Sequence, residues 1–197
     1  TAGLGYMFMQ IVRAGPHVLI PLYAANHLGM SVDAIGILIS LSATLDILLF
    51  YPAGIMLDRW GRKPAIISSN LFLLLGIGLI PFTHSQTALL LVGLLAGLGN
   101  GLGAGCMLTL GSDLTPKENS SEFIGAWTLI GDVGNSGAPL MIGSLAEVIS
   151  LPGTAWVIAA SGLAALFIFL QFVPETLHKS GGLHVQIKDN ERNLRAN

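Results

Sequence analysis

The chain has 197 residues, of which 52% are hydrophobic and 10% carry a formal charge. Its mean hydropathy of +0.72 excludes a water-soluble globular surface, since soluble domains carry about 25% charged residues. The formal net charge of −2 gives no indication of nucleic-acid binding. The single cysteine, Cys106, excludes an internal disulfide and offers no metal cluster, so we expect neither a metal nor a cofactor.

Six apolar stretches are each long enough to cross a bilayer as a helix, which takes about 20 residues. They cover residues 4–25, 34–56, 65–83, 88–110, 123–148 and 154–173. The connections after the first, third and fifth stretches contain no Lys or Arg. Those after the second, fourth and sixth contain Arg59, Arg62, Lys63, Lys117, Lys179, Lys188, Arg192 and Arg195. Because cationic connections stay in the cytoplasm, we expect an all-α membrane protein with both termini on that side.

Ionisable side chains interrupt three of these stretches. Arg13 and His17 lie four residues apart in the first, so they share a helix face. Asp46 in the second stretch and Asp132 in the fifth lie at a depth similar to that of Arg13. Charges inside a bilayer are costly unless they are paired or hydrated, which makes them functional candidates. We expect a network of these groups; the alternative is a static pair of Arg and Asp that only holds helices together.

Glycines set the character of the fourth and fifth stretches. Gly93, Gly97, Gly101 and Gly105 recur every four residues and predict a smooth stripe along which another helix packs. No strand precedes this run, so it is not a nucleotide-binding loop. Asn100 lies in the same stretch and is a candidate for contact with either a substrate or another helix. In the fifth stretch, Gly134, Gly137 and Pro139 predict a kinked packing helix.

The connection between the second and third stretches carries a recognisable motif. Gly54, Asp58, Arg59, Gly61, Arg62 and Lys63 form the pattern Gly-x-x-x-Asp-Arg-x-Gly-Arg-Lys between two predicted spans. This pattern resembles the signature loop of the major facilitator superfamily of secondary transporters. The segment Pro174-Glu175-Thr176 resembles the closing segment of many of its members. Without that resemblance, the loop is an ordinary cytoplasmic connection.

The resemblance implies a bundle of six transmembrane helices built as a 3+3 inverted repeat, which is half of a twelve-helix transporter. In that fold the first and fourth spans line the central cavity, the second and fifth meet the other half, and the third and sixth face lipid. The fourth span lacks a membrane arginine and no seventh span follows, so we expect the carboxy-terminal half. Residues 1–176 would form this half and residues 177–197 a polar cytoplasmic tail.

The resemblance also implies secondary active transport of small molecules by alternating access, and no enzyme activity. An aspartate that alternates between charged and neutral forms would couple this transport to H⁺. The segment from Gly134 to Pro139 loosely resembles the glycine–proline motif of the antiporter branch, which favours multidrug or organic-solute efflux. In the loop, Asp58 would face a helix N-terminus, and Arg59 and Arg62 would bridge to acidic groups.

The expected partners are the lipid bilayer, a small-molecule substrate, H⁺ and the missing six-span half, in a plasma membrane such as the bacterial inner membrane. Two other classes stay open. One is a channel or a partner subunit that transports nothing itself. The other is a six-span intramembrane serine protease, with Ser136 as nucleophile and His17 as base. The residues leave the substrate undetermined among amphiphilic drugs, organic cations and small metabolites.

Overall fold

The computed structural model describes residues 2–116 and 119–173, and all regular structure in these ranges is helical. The elements are α1 (Ala2–Asn26), α2 (Val32–Leu48), α3 (Phe50–Trp60), α4 (Arg62–Leu79), a 3₁₀ turn (Ile80–Phe82), α5 (Gln86–Leu102), α6 (Cys106–Asp113) and α7 (Ser120–Phe172). The predicted all-α fold is confirmed. Lys117, the Pro174-Glu175-Thr176 segment and the tail at 177–197 lie outside the described residues.

The six predicted spans map onto these helices in chain order. α1 covers the first, α2 and α3 together the second, α4 the third, and α5 with α6 the fourth. Within the two described ranges, four segments are long and apolar enough to cross a membrane: Val32–Trp60, Arg62–Phe82, Gln86–Asp113 and Ser120–Phe172. α1 is not among them, since Gln10, Arg13 and His17 reduce its apolar character.

The fifth and sixth spans both belong to α7. Its 53 residues would make a rod of about 80 Å, more than twice the depth of the hydrocarbon layer. Ser150 interrupts it with φ 68° and ψ 163°, outside the helical region. The chain therefore turns at Ser150, within the connection predicted between these two spans.

Short polar signals set the ends of several helices. The hydroxyl of Ser31 accepts from the N–H of Ala34 at 3.3 Å, and that of Ser85 from the N–H of Ala88 at 3.2 Å. Both satisfy an amide that the first helical turn leaves unpaired. Gly61 separates α3 from α4 with φ 107°, a backbone conformation that side chains disfavour. A single residue thus reverses the chain between two spans.

Contacts at the two ends of the bundle separate the connections into two sets. Arg62 Nε lies 2.7 Å from Asp113 Oδ2, and Lys63 Nζ donates to the carbonyl of Leu170 at 2.8 Å. The ends of the second, fourth and sixth spans therefore meet at one end of the bundle. At the other end, the rings of Phe82 and Trp156 pack edge to face with centroids 5.9 Å apart. This end carries the connections that contain no Lys or Arg.

Glycines allow α5 to approach the helices on either side of it. A Cβ on Gly97 would lie 2.7 Å from the carbonyl oxygen of Ser42, and one on Gly101 2.7 Å from that of Asp46, both on α2. Gly93 faces the same helix. On the opposite side, Gly99 faces α4. Backbone approach of this kind stabilises helix pairs where lipid provides no hydrophobic force.

Three residues of the predicted packing set do not contact a neighbouring helix. Gly105 has φ 74° and begins α6, so it ends the helix in which the stripe lies. On α7, a Cβ on Gly134 would lie 2.5 Å from the carbonyl oxygen of Met7, but Gly137 faces open space and Pro139 is exposed. The reason is geometric: the buried face of α7 runs through Gly131, Gly134, Ala138 and Ile142, which leaves Gly137 and Pro139 beside or behind it.

The apolar surface is unevenly distributed over the spans. α2 has one buried residue, Leu38, and α3 has two. α4 instead buries one face against α5 and α7 and exposes a stripe at Leu71, Leu75 and Leu79. The second span (α2 and α3), together with the first half of α7, therefore presents most of the unpartnered apolar surface. Its large members include Val32, Ile37, Ile47, Leu48, Tyr51, Leu129, Val133, Leu140 and Val148.

Candidate functional site

Arg13 on α1 interacts with the backbone of α5. Its Nη2 donates to the carbonyl of Asn100 at 3.1 Å, while Asn100 Nδ2 lies 3.5 Å from the carbonyl of Arg13. Asn100 is in the last turn of α5, which ends at Leu102. The final carbonyls of a helix lack intrahelical partners and carry partial negative charge, so they favour a cation. The half-buried guanidinium is thus stabilised by a helix terminus.

The chain breaks between α5 and α6 directly beside this arginine. A Cβ on Gly103 would lie 2.5 Å from Arg13 Nη1 and would also collide with Ser69 Oγ. Ser69 donates at 2.6 Å to the carbonyl of Gly99 near the end of α5, which also accepts from the N–H of Gly103 at 3.2 Å. Gly105 then starts α6 with a positive φ. Only glycine fits at Gly103 because a guanidinium and a hydroxyl occupy the space that a side chain needs.

A cavity of about 40 Å³ opens between α1, α2 and α5, next to this break. Its polar residues are His17, Ser42, Asp46 and Asn100, and its apolar lining consists of Pro16, Ile20, Leu38, Ile39, Ala43, Gly93, Ala96 and Gly97. His17 is exposed at its mouth. The imidazole Nε2 of His17 lies 3.2 Å from Asn100 Nδ2, a contact that fits a neutral histidine accepting from the amide.

Two oxygens of this group have no hydrogen-bond partner although they are buried: Asp46 Oδ1 and Asn100 Oδ1. Asn100 is 4% exposed. Within residues 2–116 and 119–173, no ion pair within 4.0 Å joins Asp46 to Arg13, and Arg13 does not line the cavity. A buried acceptor without a donor typically costs about 1 to 3 kcal/mol. Two residues that line the cavity therefore carry acceptors that no donor satisfies.

Asp132 is not part of this cluster. It is exposed on α7, whereas Arg13, His17, Asp46 and Asn100 meet at the junction of α1, α2 and α5. Two glycines close to it in the chain, Gly131 and Gly134, face α1. Because neighbouring helical residues point in different directions, a helix that turns these glycines inward turns Asp132 outward. The expected network of three ionisable groups is thus reduced to Arg13 and Asp46, with His17 beside them.

Some residues of the motif loop are exposed, and others form hydrogen bonds to neighbouring helices. Asp58 and Arg59 are exposed, and a Cβ on Gly54 would meet no atom within 4 Å. Arg62 reaches both Asp113 Oδ2 at 2.7 Å and the carbonyl of Leu57 at 3.2 Å. It therefore joins the end of α3 to the end of α6. A planar guanidinium can hold two acceptors at once in this way.

The arrangement does not form a serine–histidine dyad. Ser136 is exposed on α7, and His17 contacts Asn100 on α5. No hydrogen bond joins the two side chains in the part of the chain that the structure describes. A serine nucleophile requires a base within hydrogen-bond reach, so the protease interpretation lacks its central contact.

Three functional residues escape the sequence interpretation. Ser42 lines the cavity; it lies four residues before Asp46, so helical spacing from that aspartate is a signal that could have found it. Asp113 pairs with Arg62, and its position at the end of the fourth span, on the cationic side, could have suggested this. Ser69 gives no such signal, since serine in an apolar helix commonly bonds to its own backbone.

Comparisons with known proteins identify transporters as the proteins that this chain resembles. The family model described as "Major Facilitator Superfamily" matches residues 2–190. The class H tetracycline resistance protein of Pasteurella multocida is 29% identical over 113 residues, which cover 57% of this chain and 28% of that protein. The crystal structure of the human organic anion transporter MFSD10 (TETRAN) superposes with a TM-score of 0.67 at 20% identity, over 90% of this chain and 47% of that one. The chain thus spans about half the length of that structure, and the likeness concerns the fold.

Proposed function

We propose, on the premise that this chain belongs to the Major Facilitator Superfamily, that it forms one six-span half of a secondary active transporter. The family and the long apolar helices identify an integral membrane protein. In the proposed mechanism, two six-span bundles rock about a site near the middle of the bilayer and expose it to each side in turn. The protein moves small solutes and is not an enzyme.

The observation that carries this proposal is the cluster of Arg13, His17, Asp46 and Asn100 inside apolar helices. Polar groups at membrane depth are expensive and mark substrate or ion pathways. Three of them open onto a cavity, and its mouth at His17 lies on the surface of this half. A second bundle packed against that surface would convert the mouth into a site between the two halves.

Asp46 is the residue that we assign to proton coupling. One of its oxygens is buried without a hydrogen-bond donor, and Arg13 does not form an ion pair with it. Proton binding would remove a charge that no contact neutralises, and release would restore it when the site opens to water.

The second half would cover the second span (α2 and α3) together with the first part of α7. These segments expose many large apolar side chains, such as Tyr51 at 80% and Leu140 at 77%. The motif loop follows the end of this span. Its exposed Asp58 is available to a helix terminus of that half, while Arg62 is held by Asp113. We place the loop and both termini in the cytoplasm, and the direction as efflux from a bacterial cell.

A transport assay in liposomes tests this function. The complete transporter, with both six-span halves, is reconstituted with a pH-sensitive dye in the lumen, and tetracycline is added as the first probe because a relative is named for resistance to it. Transport by alternating access gives a saturable change of lumenal pH and counterflow of labelled probe. A conductance that rises linearly with concentration would indicate a channel. The same assay with amphiphilic amines covers the case in which tetracycline is not a substrate.

A further inference from the structure

We propose that the cavity between α1, α2 and α5 receives the protonated amine of an organic cation, so that the compounds bound are amphiphilic amines and not anions. This inference names the ligand of the site described above and, for transport, rests on the proposed function. Binding itself is independent of transport. The features that lead to it are the unpartnered acceptors, the position of Arg13, and the size and lining of the cavity.

Two of the residues that line the cavity carry an acceptor without a donor. Asp46 Oδ1 and Asn100 Oδ1 are buried without a partner. Ser42 donates its hydroxyl hydrogen to the carbonyl of Leu38 at 3.0 Å, so only its lone pairs remain for a ligand. A group that fits must therefore donate hydrogen bonds, and a charged donor would also neutralise Asp46. A primary ammonium has three N–H donors and no acceptor, which matches these requirements.

The cation of the cluster is not available to an anionic ligand. The Arg13 guanidinium donates to the carbonyl of Asn100 and lies against Gly103 and Ser69, at the break between α5 and α6. It is not part of the cavity wall. A carboxylate in the cavity would face Asp46 and the Asn100 oxygen. Like charges at this distance, in a site with little water, are strongly unfavourable.

Size and lining restrict what enters. A volume of about 40 Å³ holds only a few water-sized groups, so it admits an ammonium with its first carbons and not a whole drug-sized molecule. The walls beside the polar atoms are aliphatic, from Ile20, Leu38 and Ile39. His17 marks the open side, through which an apolar tail would extend toward the second half. MFSD10 is described as an organic anion transporter, whereas the cavity proposed here prefers cations. The likeness between the two proteins concerns the fold alone.

Equilibrium binding tests the proposal. The full chain is placed in nanodiscs of zwitterionic lipid and dialysed against hexylammonium, N,N,N-trimethylhexylammonium or hexanoate, with empty nanodiscs as blanks. We expect saturable binding of hexylammonium, binding of the trimethyl compound weaker by about tenfold, which corresponds to about 1.4 kcal/mol, and no saturable binding of hexanoate. Hexanoate binding as tight as hexylammonium would overturn the proposal. This ligand series needs no variant.

A pair of variants locates the site. Asp46→Asn removes the carboxylate that we assign to the amine, and we expect it to weaken hexylammonium binding at least about tenfold. Asp33→Asn makes the same change at the exposed start of the same helix and serves as the control. Equal affinities of the two variants would place the amine elsewhere and overturn the proposal.

Displacement of the amine by NaCl but not by choline chloride would assign the cavity to an inorganic cation instead. Saturable transport without amine binding refutes this inference alone, whereas amine binding without transport refutes the proposed function alone.

Discussion

The guanidinium of Arg13 donates to a backbone carbonyl at the end of α5, not to a carboxylate. A buried charge without compensation would destabilise a helix bundle in lipid by several kcal/mol. Here the compensation comes from the terminal carbonyls of a helix that stops within the predicted fourth span, and the helix stops there because Gly103 and Gly105 allow it. The arginine and the break in the fourth span therefore depend on each other.

Substituting Arg13 with lysine tests this dependence. Lysine keeps the charge but has no planar fork, so the end of α5 and the middle of α1 would no longer be joined in the same geometry. We expect Arg13→Lys to lower the free energy of unfolding by about 1 to 2 kcal/mol, measured by thermal unfolding in detergent. Arg59→Lys, at an exposed position, is the matched control and should change little. Similar shifts for both variants would contradict the role given to Arg13.

At the scale of helices, the contact between α2 and α5 is set by backbone proximity. Gly97 and Gly101 lie against the carbonyls of Ser42 and Asp46, so the glycine face of α5 also fixes how close Asp46 comes to Asn100. A wider separation of the two helices would enlarge the cavity between them. Helix packing and the geometry of the binding site are thus one property of this interface.

The same change of glycine to alanine at two positions separates packing from helix propensity. At Gly97, a Cβ would lie 2.7 Å from the Ser42 carbonyl, so we expect Gly97→Ala to destabilise the protein by about 1 to 3 kcal/mol through overpacking. At Gly78, nothing lies within 4 Å, and Gly78→Ala should be neutral or stabilising by up to about 1 kcal/mol. Thermal unfolding of both variants measures the difference. Equal stabilities would show that α2 and α5 are not in close contact.

Local sequence signals predict much of where the helices run and which of their faces pack together. The apolar stretches predict where helices run, and the glycine spacing singles out Gly93, Gly97 and Gly101, which do face α2. Gly105 continues the same spacing, yet it begins a new helix, because the break is defined by Arg13 and Ser69 on other helices. Asp132 likewise could not be oriented from sequence, since its direction depends on which face of α7 packs against α1. What the sequence leaves undetermined are the contacts between segments distant in the chain.

In the whole molecule, the cationic connections lie at one end of the helix bundle and the connections without Lys or Arg lie at the other. The pairs Arg62–Asp113 and Lys63–Leu170 gather the cationic connections at one end. The other end holds aromatic and polar contacts, such as the Tyr23 hydroxyl 3.4 Å from the carbonyls of Pro81 and Thr83. Cationic connections are retained in the cytoplasm during insertion, so the end that holds Arg62 and Lys63 is expected to face the cytosol.

Labelling of single cysteines in intact cells measures this orientation. In a Cys106→Ala background, we expect His84→Cys and Gly153→Cys to react with a membrane-impermeant maleimide from outside the cell. Arg59→Cys, at the opposite end, should react only after the cells are permeabilised. The reverse pattern would invert the topology and with it the cytoplasmic position of the motif loop.

Alternating access is the central claim, and the accessibility of the cavity from each side of the membrane tests it most directly. Ser42 lines the cavity and is half-buried, and cysteine is close to serine in size. The measurement is the rate at which an impermeant maleimide modifies Ser42→Cys from either side of sealed vesicles, under pH gradients of opposite sign. Rocking bundles predict that the rate rises on one side as it falls on the other, and that reversing the gradient exchanges the sides. Rates that rise together on both sides, or reaction from one side under every gradient, would contradict the account.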